Sequence, residues 1–302
     1  MATVPHSIAS PLLTGATGFV GSALARRLQG SRRLAFGARD WRASIAAADL
    51  RGASVFHLAA RAHEPSRESA DGRFEEDNVA KTLELATAAA AAGAARFVFA
   101  STVKVLGEET DGAPWTPRSP ADPCDAYARS KWHAEEGLRE IAQRTGLACV
   151  IVRFPLVYGP GVAGNFRALL RLADRALWLP FGTIANRRSL LHVDDAAEAL
   201  LAAASHPAAP GGTFIAAHAD PVSTPALVEG LRRHLGRPRR LFAMPAAALE
   251  AGAALLGQGE RMRRLTRSLE VDASDLAASL GWRARVGLDD GLRGTVIAYR
   301  SA

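Results

Sequence analysis

The chain has 302 residues, 48% of them hydrophobic, with a formal charge of +7 and a pI near 10.2. That length carries one large domain or two smaller ones, and the scatter of its arginines argues against a nucleic-acid face. Two cysteines, Cys124 and Cys149, exclude a disulfide framework; eight histidines show no ligand spacing, so no metal is expected; and residues 1–10 lack the apolar stretch of a secretory signal, so a cytoplasmic protein without membrane insertion is expected.

Residues 8–13 read as a short apolar strand, although Pro11 is awkward there. They run into Thr14-Gly15-Ala16-Thr17-Gly18-Phe19-Val20-Gly21, and a helical pattern follows over 19–28. Strand, glycine turn and helix in that order is the context a dinucleotide fingerprint needs. Gly15, Gly18 and Gly21 permit a tight turn and close backbone approach, with the helix N-terminus facing a pyrophosphate. Residues 33–37 read as one further strand. Residues 54–58 form the next, ending in His57-Leu58-Ala59-Ala60. An Ala-rich helix is expected over 75–92, a strand over 96–100 leading into Ser101-Thr102, a helix over 125–144, and a strand over 147–152 leading to Tyr158-Gly159-Pro160-Gly161.

This alternation predicts an α/β fold, a Rossmann-type parallel sheet wrapped by helices. After residue 160 the pattern turns mostly helical, with short extended pieces at 189–193 and 213–216. The expected division is a dinucleotide-binding domain over 1–160 and a smaller substrate lobe over 161–302, the two interleaved. Residues 242–257, the most apolar long run, are too short to span a membrane and read as a buried helix.

Of the 37 cationic residues only three are lysine: Lys81, Lys104 and Lys131. Lys131 closes Tyr127-Ala128-Arg129-Ser130-Lys131, and residues four apart share a helix face. An ammonium beside a phenol favours the phenolate and lowers a pKa that starts near ~10, which makes a proton-transfer pair.

Taken together these segments resemble the extended short-chain dehydrogenase/reductase family, and within it the NAD-dependent epimerase/dehydratase group acting on nucleotide sugars. The matches run from Thr14-Gly15 through His57-Leu58-Ala59-Ala60, Asn78, Ser101-Thr102 and Tyr127/Lys131. They continue through Tyr158-Gly159-Pro160-Gly161, Asn165, the stretch from Arg187 to Asp195, and Leu280-Gly281-Trp282. Ser101-Thr102-Val103-Lys104-Val105-Leu106-Gly107-Glu108 is similar to a bacterial subgroup of UDP-sugar 4-epimerases and 4-ketoreductases making surface-polysaccharide precursors. Most of the family has Tyr where this chain has Leu106.

The resemblance implies Tyr127 as general acid/base, Lys131 as its partner on the nicotinamide ribose, and Thr102 as the hydroxyl bonding the reacting oxygen. It implies NAD or NADP held by Gly15, Gly18, Phe19, Val20, Gly21, Arg39, Leu58, Ala59, Ala60, Asn78, Ser101, Tyr127, Lys131 and Pro155. Asn78 could instead simply fix a loop. A UDP-sugar would meet Thr102, Asn165 and Arg188, with Arg187 a rival for the diphosphate, and His192 would be structural. A homodimer is the assembly to test. The expected reaction moves a hydride at C4 of a UDP-hexose or UDP-N-acetylhexosamine, as a 4-epimerase or a 4-ketoreductase.

One departure concerns the 36 residues from Gly21 to His57. The resemblance implies two strands there, and only one is convincing. If it is the second strand of the fold, Arg39 falls near the ribose 2′ position and favours a 2′-phosphate; if the third, Asp40 falls near the adenine. This gap motivates a rival reading, a catalytically idle dinucleotide-binding or regulatory protein on the same fold.

Overall fold

Short apolar runs bounded by turns become strands buried on both faces. The computed structural model describes residues 8–36, 40–62, 70–175 and 177–301. In chain order its first part comprises β1 (Leu12–Thr14), α1 (Phe19–Arg27), β2 (Arg32–Leu34), α2 (Trp41–Ala46), β3 (Ser54–His57), α3 (Ala70–Phe74), a π-helical segment (Glu75–Ala80), α4 (Lys81–Ala91), β4 (Arg96–Thr102), a 3-10 turn (Val103–Leu106), α5 (Ala126–Thr145) and β5 (Cys149–Phe154). There follow β6 (Leu156–Tyr158), α6 (Gly164–Asp174), β7 (Leu190–His192), α7 (Val193–Ser205), β8 (Thr213–Ile215), α8 (Thr224–His234), α9 (Ala246–Leu255), α10 (Gly259–Thr266), α11 (Ser274–Leu280) and α12 (Leu288–Arg300).

Six strands make one parallel sheet in the order β2-β1-β3-β4-β5-β8. Leu13 lies opposite Phe56, and Phe56 opposite Val98. Order reverses between β1 and β3, so a crevice opens beyond the carboxyl ends of those two strands. Pro11 precedes β1, and its carbonyl accepts from Arg32 N at 2.9 Å.

Among the described residues β2 is the single strand between Gly21 and β3, and it pairs with β1. It is thus the second strand of the fold. Beyond it the sheet stops at an edge carrying Arg32 and Arg33, and charge on an exposed edge discourages pairing with another chain. Phe36, Trp41, Ile45 and Leu50 close the apolar face that a further strand would have covered, joining Leu12 and Val55 in one core.

The opposite face packs on α1 and α7. Alanines 196, 197, 199 and 203 of α7 are fully buried, and their small side chains let that helix lie close to β4 and β5. The later half of the chain therefore returns to the sheet twice, as α7 and as edge strand β8. β6 and β7 form a separate parallel pair, with Tyr158 opposite His192. Helices α6, α8, α9 and α12 gather around Phe166, Leu170, Phe181, Val228 and Leu292 as the second lobe.

Two expected helices are corrected. The run expected as one helix over 75–92 contains the π-helical segment before α4. The run 242–257 is not a buried helix: α9 buries Leu249 and Ala253, whereas Leu255 and Leu256 are 89% and 78% exposed. Apart from Glu250, which bonds Thr266 and Arg267, the sequence there is apolar, so composition concealed that Leu255 and Leu256 meet solvent. Among the described residues no helix is long and apolar enough to cross a membrane.

Candidate active site

The glycine turn is fixed by steric necessity. Gly15 has φ +70°, and a Cβ there would stand 2.6 Å from Ala59 N. A Cβ on Gly21 would stand 2.0 Å from Gly15 O, so α1 begins against the turn itself. Gly18 N donates to Gly15 O at 2.9 Å. Phe19 and Val20 turn their side chains toward the apolar core, so what they can offer a ligand is backbone at the start of α1.

The crevice wall is held by a buried relay whose proton order can be derived. Thr82 Oγ1 donates its only proton to Asn78 O at 2.7 Å, so it accepts from His57 Nε2 at 2.8 Å. Burial, then the nearby Lys131 charge, push His57 down to about 3, so the ring is neutral and Nδ1 is an acceptor. Thr14 Oγ1 donates to that nitrogen at 2.7 Å and itself accepts from Leu58 N and Ala59 N at 3.2 and 3.1 Å. The backbone of Leu58, Ala59 and Ala60 is thereby pinned beside Gly15. Thr14, His57 and Thr82 were not among the expected site residues. A histidine ending a strand that is otherwise apolar was the available signal.

Asn78 takes the loop-fixing role. Its Oδ1 accepts from Arg61 N at 2.7 Å, and its Nδ2 donates to Arg61 O and to Ser130 Oγ at 3.0 and 2.9 Å. Both amide protons are used within the protein. The π-helical segment places Asn78 between the β3 loop and α5. The Ser101 hydroxyl is also held within the protein. It donates to Glu135 Oε1 at 2.6 Å, on the α5 side of β4. Glu135 also accepts from Arg153 Nε and Nη2 at 3.0 and 2.6 Å. Glu135 and Arg153 are 0% and 2% exposed, a buried pair below the site.

Thr102 ends β4, and its Oγ1 accepts from Lys104 N at 3.2 Å, capping the 3-10 turn. Tyr127 lies in the first turn of α5, edge-on to Phe74 with ring centres 6.3 Å apart. Asp125 caps that helix, accepting from Ala128 N at 2.7 Å, a contact worth about 1 kcal/mol. Lys104 bonds Asp125 and pairs with Glu108 at 2.6 Å. Lys131, one turn beyond Tyr127, is 2% exposed and lies over the Phe99 ring.

The expected lowering of the Tyr127 pKa is corrected. Burial, reinforced by Asp125, pushes the phenol up to about 12, and burial pushes Lys131 down to about 7. Desolvation disfavours both charged forms, and among the described residues Tyr127 receives no compensating hydrogen bond. The phenol is thus held protonated, ready to donate.

A cleft of about 800 Å³ runs from Gly15–Gly18 past Arg33–Phe36 to Leu58–Ala62, Asp77 and Lys81. Gly15 and Gly18 leave backbone bare on its floor, which fits a dinucleotide pressed on that backbone, the group the turn residues would hold. Arg39 lies outside the described residues. Pro155 is buried between β5 and β6.

On the second lobe, Arg187 is taken by Glu270 through bonds of 2.6 and 2.7 Å. Arg188 bridges Val222 and Leu269 by its backbone, and among the described residues its guanidinium bonds Arg267 O alone, from Nη1 at 3.3 Å. Burial pushes its guanidinium down to about 10, while the charge of Glu108 works the other way. Asn165, at the start of α6, is exposed. His192 caps α7 by accepting from Asp194 N at 3.3 Å and packs edge-on to Tyr158.

Comparison with known proteins agrees with this geometry. The model of the NAD dependent epimerase/dehydratase family matches residues 11–217. A UDP-glucose 4-epimerase of Vibrio cholerae is 34% identical, over 99% of this chain and 97% of that protein. The UDP-glucose 4-epimerase of Thermotoga maritima, solved with UDP-glucose, superposes with a TM-score of 0.77 at 23% identity, covering 96% of this chain and 98% of that one. The RMD protein of Pseudomonas aeruginosa, solved with NADPH, gives 0.73 at 22% identity, covering 97% and 100%.

Proposed function

Because the chain belongs to the NAD dependent epimerase/dehydratase family, within the extended short-chain dehydrogenases/reductases, it is an enzyme of nicotinamide-dependent chemistry, and we propose that it exchanges a hydride and a proton at C4 of a UDP-hexose or UDP-N-acetylhexosamine. The observation that carries this reading is the pair on the first turns of α5: Tyr127 half-buried with its phenol kept protonated, and Lys131 buried one turn behind it.

Bound NAD or NADP supplies or accepts the hydride. Tyr127 exchanges the proton at O4, and the Thr102 hydroxyl bonds the same oxygen. Lys131 brings positive charge to the ribose side and favours the phenolate once the proton has left. Arg188 meets the diphosphate, since its guanidinium is not committed to a carboxylate as that of Arg187 is. The same reading makes the product a surface-polysaccharide precursor formed in the cytoplasm, by a chain able to pair as a homodimer.

Incubation with UDP-glucose, UDP-GlcNAc and their 4-keto-6-deoxy forms, with and without NADPH, tests it by mass spectrometry and NMR. Conversion at C4 of any of these supports the reading. Binding of dinucleotide with no turnover of the whole set would return the idle alternative.

A further inference from the structure

The outer wall of the dinucleotide cleft carries a charge pattern that the proposed reaction does not explain. Four charged side chains line it: Arg33, Arg61, Lys81 and Asp77. Asp77 is committed to the cations on either side. Its Oδ2 accepts from Arg61 Nε at 2.7 Å and its Oδ1 from Lys81 Nζ at 2.5 Å. Lys81 also reaches Phe36 O at 3.4 Å. Burial alone would raise the Asp77 pKa, yet the bonds from Lys81 and Arg61 hold it below the ordinary carboxylate range. The nearby Asp40 is likewise occupied, accepting from Ala43 N at 3.0 Å as the cap of α2.

A free 2′-hydroxyl is read by a carboxylate near the end of the second strand. Among the described residues of this wall no uncommitted carboxylate stands there. Arg33 does. It projects from edge strand β2 into the cleft, is exposed, and makes no ion pair or hydrogen bond among the described residues. Arg32 beside it turns to the other face, near Asp49 at 3.9 Å.

We propose that this wall reads a 2′-phosphate, with Arg33 as the residue that contacts it and Lys81 and Arg61 supplying positive field, so that the enzyme takes NADP(H) in preference to NAD(H). A guanidinium fork matches phosphate oxygens, and the one carboxylate on this wall, Asp77, is answered by Arg61 and Lys81. The inference rests on the proposed hydride chemistry and sharpens it toward 4-ketoreduction. The C4 carbonyl carbon takes a hydride from NADPH, the carbonyl oxygen takes the Tyr127 proton, and solvent returns a proton to Tyr127. The products are the C4 alcohol and NADP⁺, one dinucleotide oxidised per sugar reduced.

Calorimetric titration of the full chain with 2′,5′-ADP and with 5′-AMP tests the wall without any sugar. The expected result is 2′,5′-ADP binding at least about tenfold tighter, the range of a charge-assisted contact. Arg33→Ala should remove most of that ratio while leaving 5′-AMP affinity unchanged, and Lys81→Met should lower it independently. Equal affinities, tighter 5′-AMP binding, or a ratio unmoved by both variants would overturn the proposal. Turnover separates the two readings. Conversion of a UDP-sugar equally well with NADH and NADPH leaves the function standing and removes this inference. A 2′-phosphate preference with no UDP-sugar converted does the reverse.

Discussion

The Lys131 ammonium lies 3.8 Å from the centre of the Phe99 ring, deep under the turn that carries Tyr127. The ring face offers the charge a partial substitute for water, and no hydrogen bond completes it among the described residues. Burial accordingly drives the group down to about 7 from the ordinary 10.5, with Glu135 opposing. The unfolded chain keeps its proton up to the ordinary value, so between pH 7 and 10.5 it binds more protons than the folded state. Stability therefore rises with pH across that window, and the burial penalty is fully present below pH 7. Lys131→Met should melt a few degrees higher than the parent at pH 6, with the gap closing toward pH 10. A gap independent of pH in thermal melts would show that packing, not charge, sets the difference.

Tyr127→Phe removes the transferable proton and little else. Turnover should fall by about 10² to 10⁴-fold, while dinucleotide affinity, read by fluorescence titration, stays within a factor of two or so of the parent. Lys131→Arg should also be strongly impaired, because the bulkier guanidinium does not fit a 2% exposed site lined by Phe99. Parent-like rates in either variant would remove the pair from the mechanism.

The glycine turn was legible because everything it needs is local: Gly15, Gly18 and Gly21 lie within seven residues, between a strand and a helix. The roles of Asn78 and Ser101 were not, because their partners Ser130 and Glu135 lie 52 and 34 positions away. Scarcity drew attention to Lys131, yet Lys81 and Lys104 are equally scarce and are held by Asp77 and by Asp125 and Glu108. Only the spacing from Tyr127 distinguished the third. The pKa of Tyr127 was misread because sequence shows a neighbouring charge but not the burial that outweighs it. The exposure of Leu255 and Leu256 was hidden in a run whose one charged residue is Glu250.

The His57 relay gives an acid-range signature. His57 is held neutral to about pH 3, whereas the unfolded ring titrates near 6.5. Between those values the unfolded chain binds the extra proton, so this contribution is lost as pH falls from 6.5 toward 3. His57→Gln should be less stable at pH 7 and show a shallower acid slope, by up to about 1.4 kcal/mol per pH unit. Urea titrations at pH 4.5, 5.5 and 6.5 measure it. Identical slopes would place the acid sensitivity elsewhere.

Glu135→Ala leaves the Arg153 guanidinium buried beside the Ser101 hydroxyl without its carboxylate. Breaking a buried pair from one side costs about 3–5 kcal/mol. The denaturant midpoint should drop accordingly, whereas Arg139→Ala, which removes the 35% exposed partner of the same carboxylate, should cost under about 1 kcal/mol. Comparable losses in the two variants would mean that the outer arginine carries the cluster.

Arg188 and Arg187 offer an internal control, being adjacent and chemically identical but differently engaged. Arg187 is 59% exposed and forked onto Glu270, so its charge is already answered. Arg188 bonds one backbone oxygen, while Glu108 and Arg264 influence it from opposite signs. A diphosphate arriving over the cleft should therefore bind Arg188, through charge-assisted contacts worth roughly 1.5–3 kcal/mol. Arg188→Ala should raise KM for the UDP-sugar about 10 to 150-fold, with dinucleotide affinity nearly unchanged. Arg187→Ala should move KM by less than about threefold, since an exposed pair contributes little. Loss of dinucleotide binding in Arg188→Ala, with UDP affinity intact, would assign that guanidinium to the other ligand and move the substrate phosphates away from β7.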